Sequence, residues 1–360
     1  MTANPFYACI LAGGSGERFW PMSRRQTPKH LLQLVSPRPL IEEAVRRLDG
    51  VVPPENIYVL TSAAQLAGVR AVLPFIPAAQ IVAEPERRDT APAAALATAL
   101  VRARDPRGVV ALFSADAFIR DREKFAAQIA AAFRFASGAA PGMPEAALLT
   151  IGVNPTFPST GFGYLELGDD LVSAGASGVL RRVRRFVEKP DLETAQRYVA
   201  GGGYAWNAGI FLWRAEAFLA EADRSAPELA AFVRGFPSGS PDTYLRERFA
   251  LLPKISLDYA IMEKAAQVVT LVAAFDWDDV GTWAALPKHL RVDAAGNASR
   301  GSVAIADSSR NLAVSNGRVI ALCGVHDLVV VETADAVLVC HRDAVQDLKK
   351  LQPLLPKEVL

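Results

Sequence analysis

Tyr7-Ala8-Cys9-Ile10-Leu11-Ala12-Gly13-Gly14-Ser15-Gly16-Glu17-Arg18-Phe19-Trp20-Pro21 is the stretch that decides the fold. Its first five residues form an unbroken apolar run, the pattern of a strand buried on both faces. The run breaks into glycines. Without a Cβ, a backbone at that point can approach a phosphate closely and aim its N–H groups at it. The loop is not a P-loop, because no Gly-Lys-Ser/Thr follows. It is not a dinucleotide fingerprint either, because Phe19 occupies the place of the last glycine. Arg18 lies within it and Pro28-Lys29 follows, so two cations flank one glycine-rich turn. Charge-assisted donors of this kind suit a triphosphate.

Outward from this loop the first two-thirds of the chain alternate between two patterns. Ile57–Leu60, Val109–Phe113 and Ala147–Ile151 repeat the short buried-strand signature. Between them run helical stripes: Leu40, Ala44, Val45 and Leu48; an Ala-rich segment from Pro92 to Arg104; and Phe125 to Phe135. Such alternation predicts an α/β fold with a parallel sheet covered on both faces, binding its ligands at the carboxyl ends of the strands. The middle region breaks the rhythm. Thr160-Gly161-Phe162-Gly163 turns into alternating Tyr164–Leu167, Val183–Glu188 ends at Lys189-Pro190, and Ile210–Trp213 precedes a helix. These read as antiparallel strands inserted beside the parallel core. Beyond about Leu290 only short strands recur (Ser302–Ala306, Leu312–Val314, Val319–Leu322, Leu328–Val331, Val337–Cys340), followed by a helix over Arg342–Leu351. The expected division is a catalytic domain over 1–290 and a small all-β, β-helix-like domain over 291–360.

Composition narrows the function. The chain has 360 residues, with 39 Lys and Arg against 38 Asp and Glu, a net charge of +1. That balance argues against a nucleic-acid binder, which needs a basic surplus. No apolar run is long enough to cross a bilayer, and Tyr7–Ala12 lacks the basic flank of a secretory signal. Three cysteines without CxxC spacing and four scattered histidines predict neither a disulfide framework nor a structural zinc site. The expected location is the cytoplasm, with no membrane partner.

The run Leu11 to Arg24 followed by Pro28-Lys29 resembles the signature of the sugar-nucleotide pyrophosphorylases. The Trp20-Pro21-x-Ser23-Arg24 extension is similar to the mannose-1-phosphate guanylyltransferase branch. Further blocks resemble the family in its own order: Glu84-Pro85 with Arg88-Asp89-Thr90-Ala91-Pro92, Phe186–Pro190, Trp206–Phe211, Ser256–Glu263 and Phe275–Trp283. The resemblance covers nearly the whole chain. It implies a Rossmann-like mixed sheet of the glycosyltransferase-A-like nucleotidyltransferase type. It also implies the reaction of GTP with mannose 1-phosphate to give GDP-mannose and pyrophosphate. By the same resemblance, Arg18, Lys29 and Lys189 are the catalytic cations. Leu11, Ala12, Gly13, Gly14, Ser15, Gly16 and Glu17 wrap the phosphates and base, with Glu84, Pro85, Thr90 and Ala91 near the guanine and ribose. Lys189 binds the phosphate of the incoming sugar phosphate and Glu188 its hydroxyls, and Thr160, Gly161 and Asn207 shape its pocket.

Mg²⁺ is the expected cofactor, since two anions must meet and pyrophosphate must leave. Asp116 is one candidate ligand, because it follows Val109–Phe113 at the carboxyl end where ligands bind. Asp279 is the other. On sequence alone Asp279 reads as a cap or a solvated acid, and the family block makes it a ligand. Asp116 is also a nucleotide-site residue by resemblance. The block around it departs from the family: Ser114 replaces a proline and Ala117 a histidine, which implies a lost polar group beside the metal. His30 follows Lys29 where the family commonly has glutamine.

Three other readings stand beside this one. The first is a guanylyltransferase for another sugar 1-phosphate, such as a heptose. The second is a non-catalytic relative that binds GDP-mannose and reports it to a partner, motivated by Ala117. The third is a dinucleotide-dependent oxidoreductase, which the missing last glycine opposes. Longer members of the family add a cupin-type isomerase domain. The sequence to Leu360 contains none, so no isomerase activity is expected. The β domain is expected to pack on the catalytic domain or on another subunit of a homo-oligomer.

Overall fold

A computed structural model describes residues 5–14, 16–139, 143–173 and 175–359. Nine strands form one sheet: β1 Phe6–Ala12, β2 Ile57–Ser62, β3 Ile81–Glu84, β4 Val109–Ser114, β5 Leu148–Val153, β6 Tyr164–Ser173, β7 Val179–Val187, β8 Tyr204–Arg214 and β9 Val268–Val272. Their order is β3-β2-β1-β4-β8-β5-β9-β7-β6. The first four are parallel, with Ala8 opposite both Ile57 and Ala111. Along β1 the side chains alternate between two cores. Tyr7 and Cys9 join one cluster, Ala8 and Ile10 the other, as the period of two in a strand requires.

Among the described residues eight α-helices flank the sheet: α1 Leu40–Arg46, α2 Leu66–Val72, α3 Thr90–Arg104, α4 Arg122–Ala136, α5 Leu192–Gly201, α6 Ala215–Ser225, α7 Pro227–Gly235 and α8 Asp242–Arg248. Helices α3, α6 and α7 contribute to the first core, and α1, α2 and α4 to the second. Asp89 caps α3, its carboxylate accepting from the Thr90 N–H at 2.8 Å, so the helix begins two residues before Pro92.

Of the antiparallel strands the sequence pattern suggests, β6 and β7 lie at one edge of the sheet, beside the parallel strands, but β8 does not. β8 runs through the middle of the sheet, antiparallel to both β4 and β5. Its sequence explains the placement. Ala205, Trp206, Ala208 and Ile210–Trp213 are buried, on both faces, and only an interior strand hides both. β3 went unread as a strand because it is only four residues long at the sheet edge.

The C-terminal segment stacks short parallel strands. β10 Ala298–Arg300, β12 Leu312–Val314 and β14 Leu328–Glu332 pair in parallel, β15 Val337–His341 closes that ladder antiparallel, and β11 Val303–Ala306 pairs with β13 Ile320–Cys323. A buried asparagine ladder holds the coils in register. Asn297 Oδ1 accepts from Asn311 Nδ2 at 2.9 Å, and Asn311 Oδ1 accepts from the Leu328 N–H at 2.9 Å. The terminal Arg342–Lys350 helix is 3₁₀ rather than α. This β segment shares one apolar core with the start of the chain. Phe19, Trp20, Trp283, Leu312, Val329, Val345 and Leu348 belong to a single buried cluster. Trp20 Nε1 donates to the Val359 carbonyl at 2.8 Å, and Arg24 pairs with Asp335 at 2.8 Å. The Trp20–Arg24 extension is therefore where the β segment docks.

Candidate active site

The glycine loop opens at the carboxyl end of β1, and two clefts flank it. One, about 640 Å³, is lined by Leu11, Ala12, Gly13, Gly14, Gly16, Lys29, His30, Glu84, Thr90, Asp116, Asn207 and Asp258. The other, about 320 Å³, is lined by Gly16, Glu17, Arg18, Lys29, Asp116 and Asp279 among others. Ser15 lies outside the described residues. Gly16 is required at its position. Its φ is +63°, and an added Cβ would overlap the Lys29 side chain. The loop is thus pressed against the short 3₁₀ turn Lys29–Leu31.

Lys29 is 6% exposed, an unusual depth for an ammonium, and its partners account for it. It donates to Asp116 Oδ2 at 2.9 Å and to the Asp279 backbone carbonyl at 2.6 Å. The two candidate metal ligands, far apart in the chain, therefore meet at one lysine. The backbone brings them there. Phe118 and Asp278 form an isolated antiparallel bridge, with N–H to carbonyl distances of 2.8 and 3.0 Å. The Asp276 carboxylate adds to the clamp by accepting from the Arg120 and Asp121 N–H groups at 3.0 and 2.8 Å. Asp278 turns back to accept from the Val280 N–H at 2.7 Å, which leaves Asp279 to face the cleft.

The two acids have different electrostatics. Burial pushes the Asp116 carboxyl up, but the Lys29 ammonium and the Ser114 hydroxyl outweigh it and hold Asp116 below the usual range. Burial pushes Asp279 up as well. Lys29 opposes that, and the carboxylates of Asp278 and Asp116 add to it. No donor reaches the Asp279 carboxylate among the described residues. A largely buried, unpartnered carboxylate beside a second, ionised one is a set of hard oxygen donors that fits a divalent cation.

Both departures from the family block acquire an explanation. Ser114 hydrogen-bonds the Asp116 carboxylate, a contact that proline cannot make. Ala117 lines neither cleft; it faces a void of about 10 Å³ among Arg47, Phe113, Phe125 and Ile210. The expectation that its lost imidazole strips a polar group from the metal is corrected. Asp116 sits in the bend that follows β4, and past that bend Ala117 turns to the inner void while Asp116 lines both clefts. His30 is 3% exposed on the larger cleft, and burial drops its imidazole to about 4, so it is neutral at physiological pH.

The remaining expected residues divide. Glu84 ends β3 at the cleft wall, and burial raises its carboxyl to about 7. Thr90 lines the same cleft, and its hydroxyl accepts from the Leu257 N–H at 2.8 Å. Pro85 is exposed and Ala91 is buried, and neither lines a cleft. Arg18 is exposed, its guanidinium 3.5 Å from the Gly281 carbonyl. Asn207 is pinned by its neighbours: its Oδ1 accepts from Thr150 Oγ1 at 2.9 Å, and its Nδ2 donates to Asp258 Oδ1 at 3.1 Å. Asp258 has no role in the sequence reading beyond its family block. Burial and then the Glu188 carboxylate raise it to about 7, with Lys189 pulling the other way. Lys189 pairs with Glu188 at 2.5 Å, next to Asp258 but outside the lining of either cleft. Thr160 and Gly161 form an exposed bend that lines neither cleft. Trp206 is 4% exposed and packs edge-on against Phe157 and Phe162, a core role.

A glycine-rich strand end with a buried lysine and convergent carboxylates is the site of an enzyme that handles nucleotide phosphates. The chain belongs to the nucleotidyl transferase family, whose model matches residues 7–295, and a MannoseP isomerase/GMP-like beta-helix domain model matches 301–353. It is 35% identical to the mannose-1-phosphate guanylyltransferase of Escherichia coli K12, over 98% of this chain and 73% of that protein. It is 36% identical to the xanthan biosynthesis protein XanB of Xanthomonas campestris, over 95% of this chain and 71% of that protein. Among solved structures it is similar to one from Thermus thermophilus described as a mannose-1-phosphate geranyltransferase. The TM-score is 0.85 at 31% identity, covering 97% of this chain and 99% of that one.

Proposed function

We propose that the chain transfers GMP from GTP to mannose 1-phosphate, releasing pyrophosphate. One observation carries the chemistry: Lys29, held under the glycine loop, touches both Asp116 and Asp279 at the junction of two clefts. An oxygen of the sugar phosphate attacks the α-phosphorus of GTP, that P–O bond forms, and the bond to the departing pyrophosphate breaks. Such a reaction needs alignment and charge neutralisation more than covalent help. In this reading the loop N–H groups, Arg18 and Lys29 hold the triphosphate. Lys189 receives the phosphate of the sugar, with Glu188, Asn207 and Asp258 at the sugar hydroxyls. Glu84, buried at the cleft wall, accepts from the N1–H and N2–H₂ donors that guanine presents side by side.

Nucleotidyl transferases of this family generally use a divalent metal. Here Asp116 and Asp279 would hold Mg²⁺, which when bound offsets phosphate charge. The expected location is a reducing cytoplasm, in keeping with three free cysteines. No helix among the described residues is long and apolar enough to cross a membrane. The domain limits 1–290 and 291–360 are part of the same reading.

A panel of nucleoside triphosphates and sugar 1-phosphates, scored by pyrophosphate release, tests it. GTP with mannose 1-phosphate should turn over fastest. Preference for ATP, UTP or dTTP overturns the guanine assignment, and preference for a heptose phosphate overturns the mannose. Tight GDP-mannose binding without turnover in either direction favours the regulatory reading.

A further inference from the structure

The smaller cleft is not closed by the catalytic sheet alone. Its wall includes Lys349, which the C-terminal segment supplies. That position is set by packing. Val345 and Leu348, on the same 3₁₀ helix, are 2% and 4% exposed in the core shared with Phe19 and Trp283, and the helix lies against the Glu17–Phe19 turn. With those two side chains anchored inward, Lys349 is left exposed on the rim. It has no carboxylate partner among the described residues, whereas its neighbour Lys350 is paired with Asp347 at 2.9 Å. The cleft thus gathers three cations, Arg18, Lys29 and Lys349. Of these, among the described residues, only Lys29 has a salt-bridge partner.

We infer that Lys349 is a phosphate-binding residue for the leaving pyrophosphate, contributed to the nucleotide site by the C-terminal β segment. Its neighbours argue for that end of the substrate. Lys349 shares its cleft with Gly16 and Arg18 of the loop and with none of Glu188, Lys189, Asn207 or Asp258. An unpaired ammonium beside a polyphosphate gains a charge-assisted contact that the chain itself does not supply. The role rests on the nucleotidyl-transfer reading, and it makes the active site incomplete without the β segment.

The test compares Lys349→Ala, Lys349→Arg and the control Lys350→Ala in the full chain. Lys349→Ala should raise KM for GTP, and for pyrophosphate in the reverse reaction, about tenfold, with KM for mannose 1-phosphate unchanged. Lys349→Arg should restore most of the loss, and Lys350→Ala should behave as the parent. Direct titration of pyrophosphate by calorimetry should show the same tenfold weakening. Unchanged pyrophosphate affinity, or equal loss for both substrates, overturns the role. A parent that binds pyrophosphate through Lys349 but never turns over GTP and mannose 1-phosphate sinks the functional reading and leaves this residue's role standing.

Discussion

Glu84 is buried and Asp279 partly so, and the fold has raised the proton affinity of both carboxyls, with separable consequences. For Glu84, the ionised form is the one that can accept from a guanine edge. GTP binding should strengthen as pH rises through about 7. Glu84→Gln should flatten that dependence and weaken GTP binding at pH 8; nucleotide titrations from pH 6 to 8 give the answer. The stability effect has the opposite direction. A carboxyl whose folded value lies above its unfolded value contributes stability below about pH 4.5, and this is lost as pH rises through 7. The Gln variant should therefore melt higher than the parent at pH 8, by at most about 3 kcal/mol of stability. Asp279 follows the same logic, its carboxyl raised first by burial. Its charge is unfavourable in the unliganded fold, so Asp279→Asn should leave thermal stability intact. It should lower metal-dependent turnover by about a hundredfold or more. Near-parental rates in a folded variant would refute its assignment as a ligand.

At the scale of single elements, the Asp116–Ile119 segment shows what a motif does and does not reveal. Restoring the family histidine with Ala117→His should not raise activity. The imidazole would enter a void of about 10 Å³ walled by Phe113 and Phe125. Overpacking of that kind costs about 1–3 kcal/mol, which chemical denaturation measures. A variant as stable as the parent would show that the side chain escapes toward the cleft. The glycine loop, Lys29 and Asp116 were legible in the sequence because each follows locally from a buried strand and the turn after it. The direction of Ala117 was not, since it depends on a bridge to Asp278 formed across the chain. The place of β8 in the sheet is illegible for a related reason. The apolar run Ile210–Trp213 announces a strand, but its antiparallel place between β4 and β5 depends on partners far away in sequence. Lys349 had no local signal at all, being one lysine of a pair near the chain end.

Taken as a whole, the molecule is organised around an apolar cluster that belongs to neither segment alone. Phe19, Trp20 and Trp283 pack with Leu312, Val329 and Leu348, and Trp283 Nε1 donates to the Trp20 carbonyl at 3.0 Å. Unfolding should therefore appear as one calorimetric transition, because separating the β segment exposes this whole core. Trp283→Ala, which empties its centre, should cost about 3–5 kcal/mol and move that single transition. Two resolved transitions in the parent would contradict the coupling.

The bridge between Phe118 and Asp278 has a bearing on how this scaffold tolerates change. It couples two peptide segments through main-chain groups, so the acids beside it keep their bearings whatever the flanking side chains become. A one-residue insertion on either segment, however, rotates the following side chain to the reverse face. Lineage divergence and laboratory redesign should both accumulate point changes here while length changes are confined elsewhere. The exposed bend at Thr160–Gly161, which lines neither cleft, can be lengthened or rebuilt independently of the paired carboxylates.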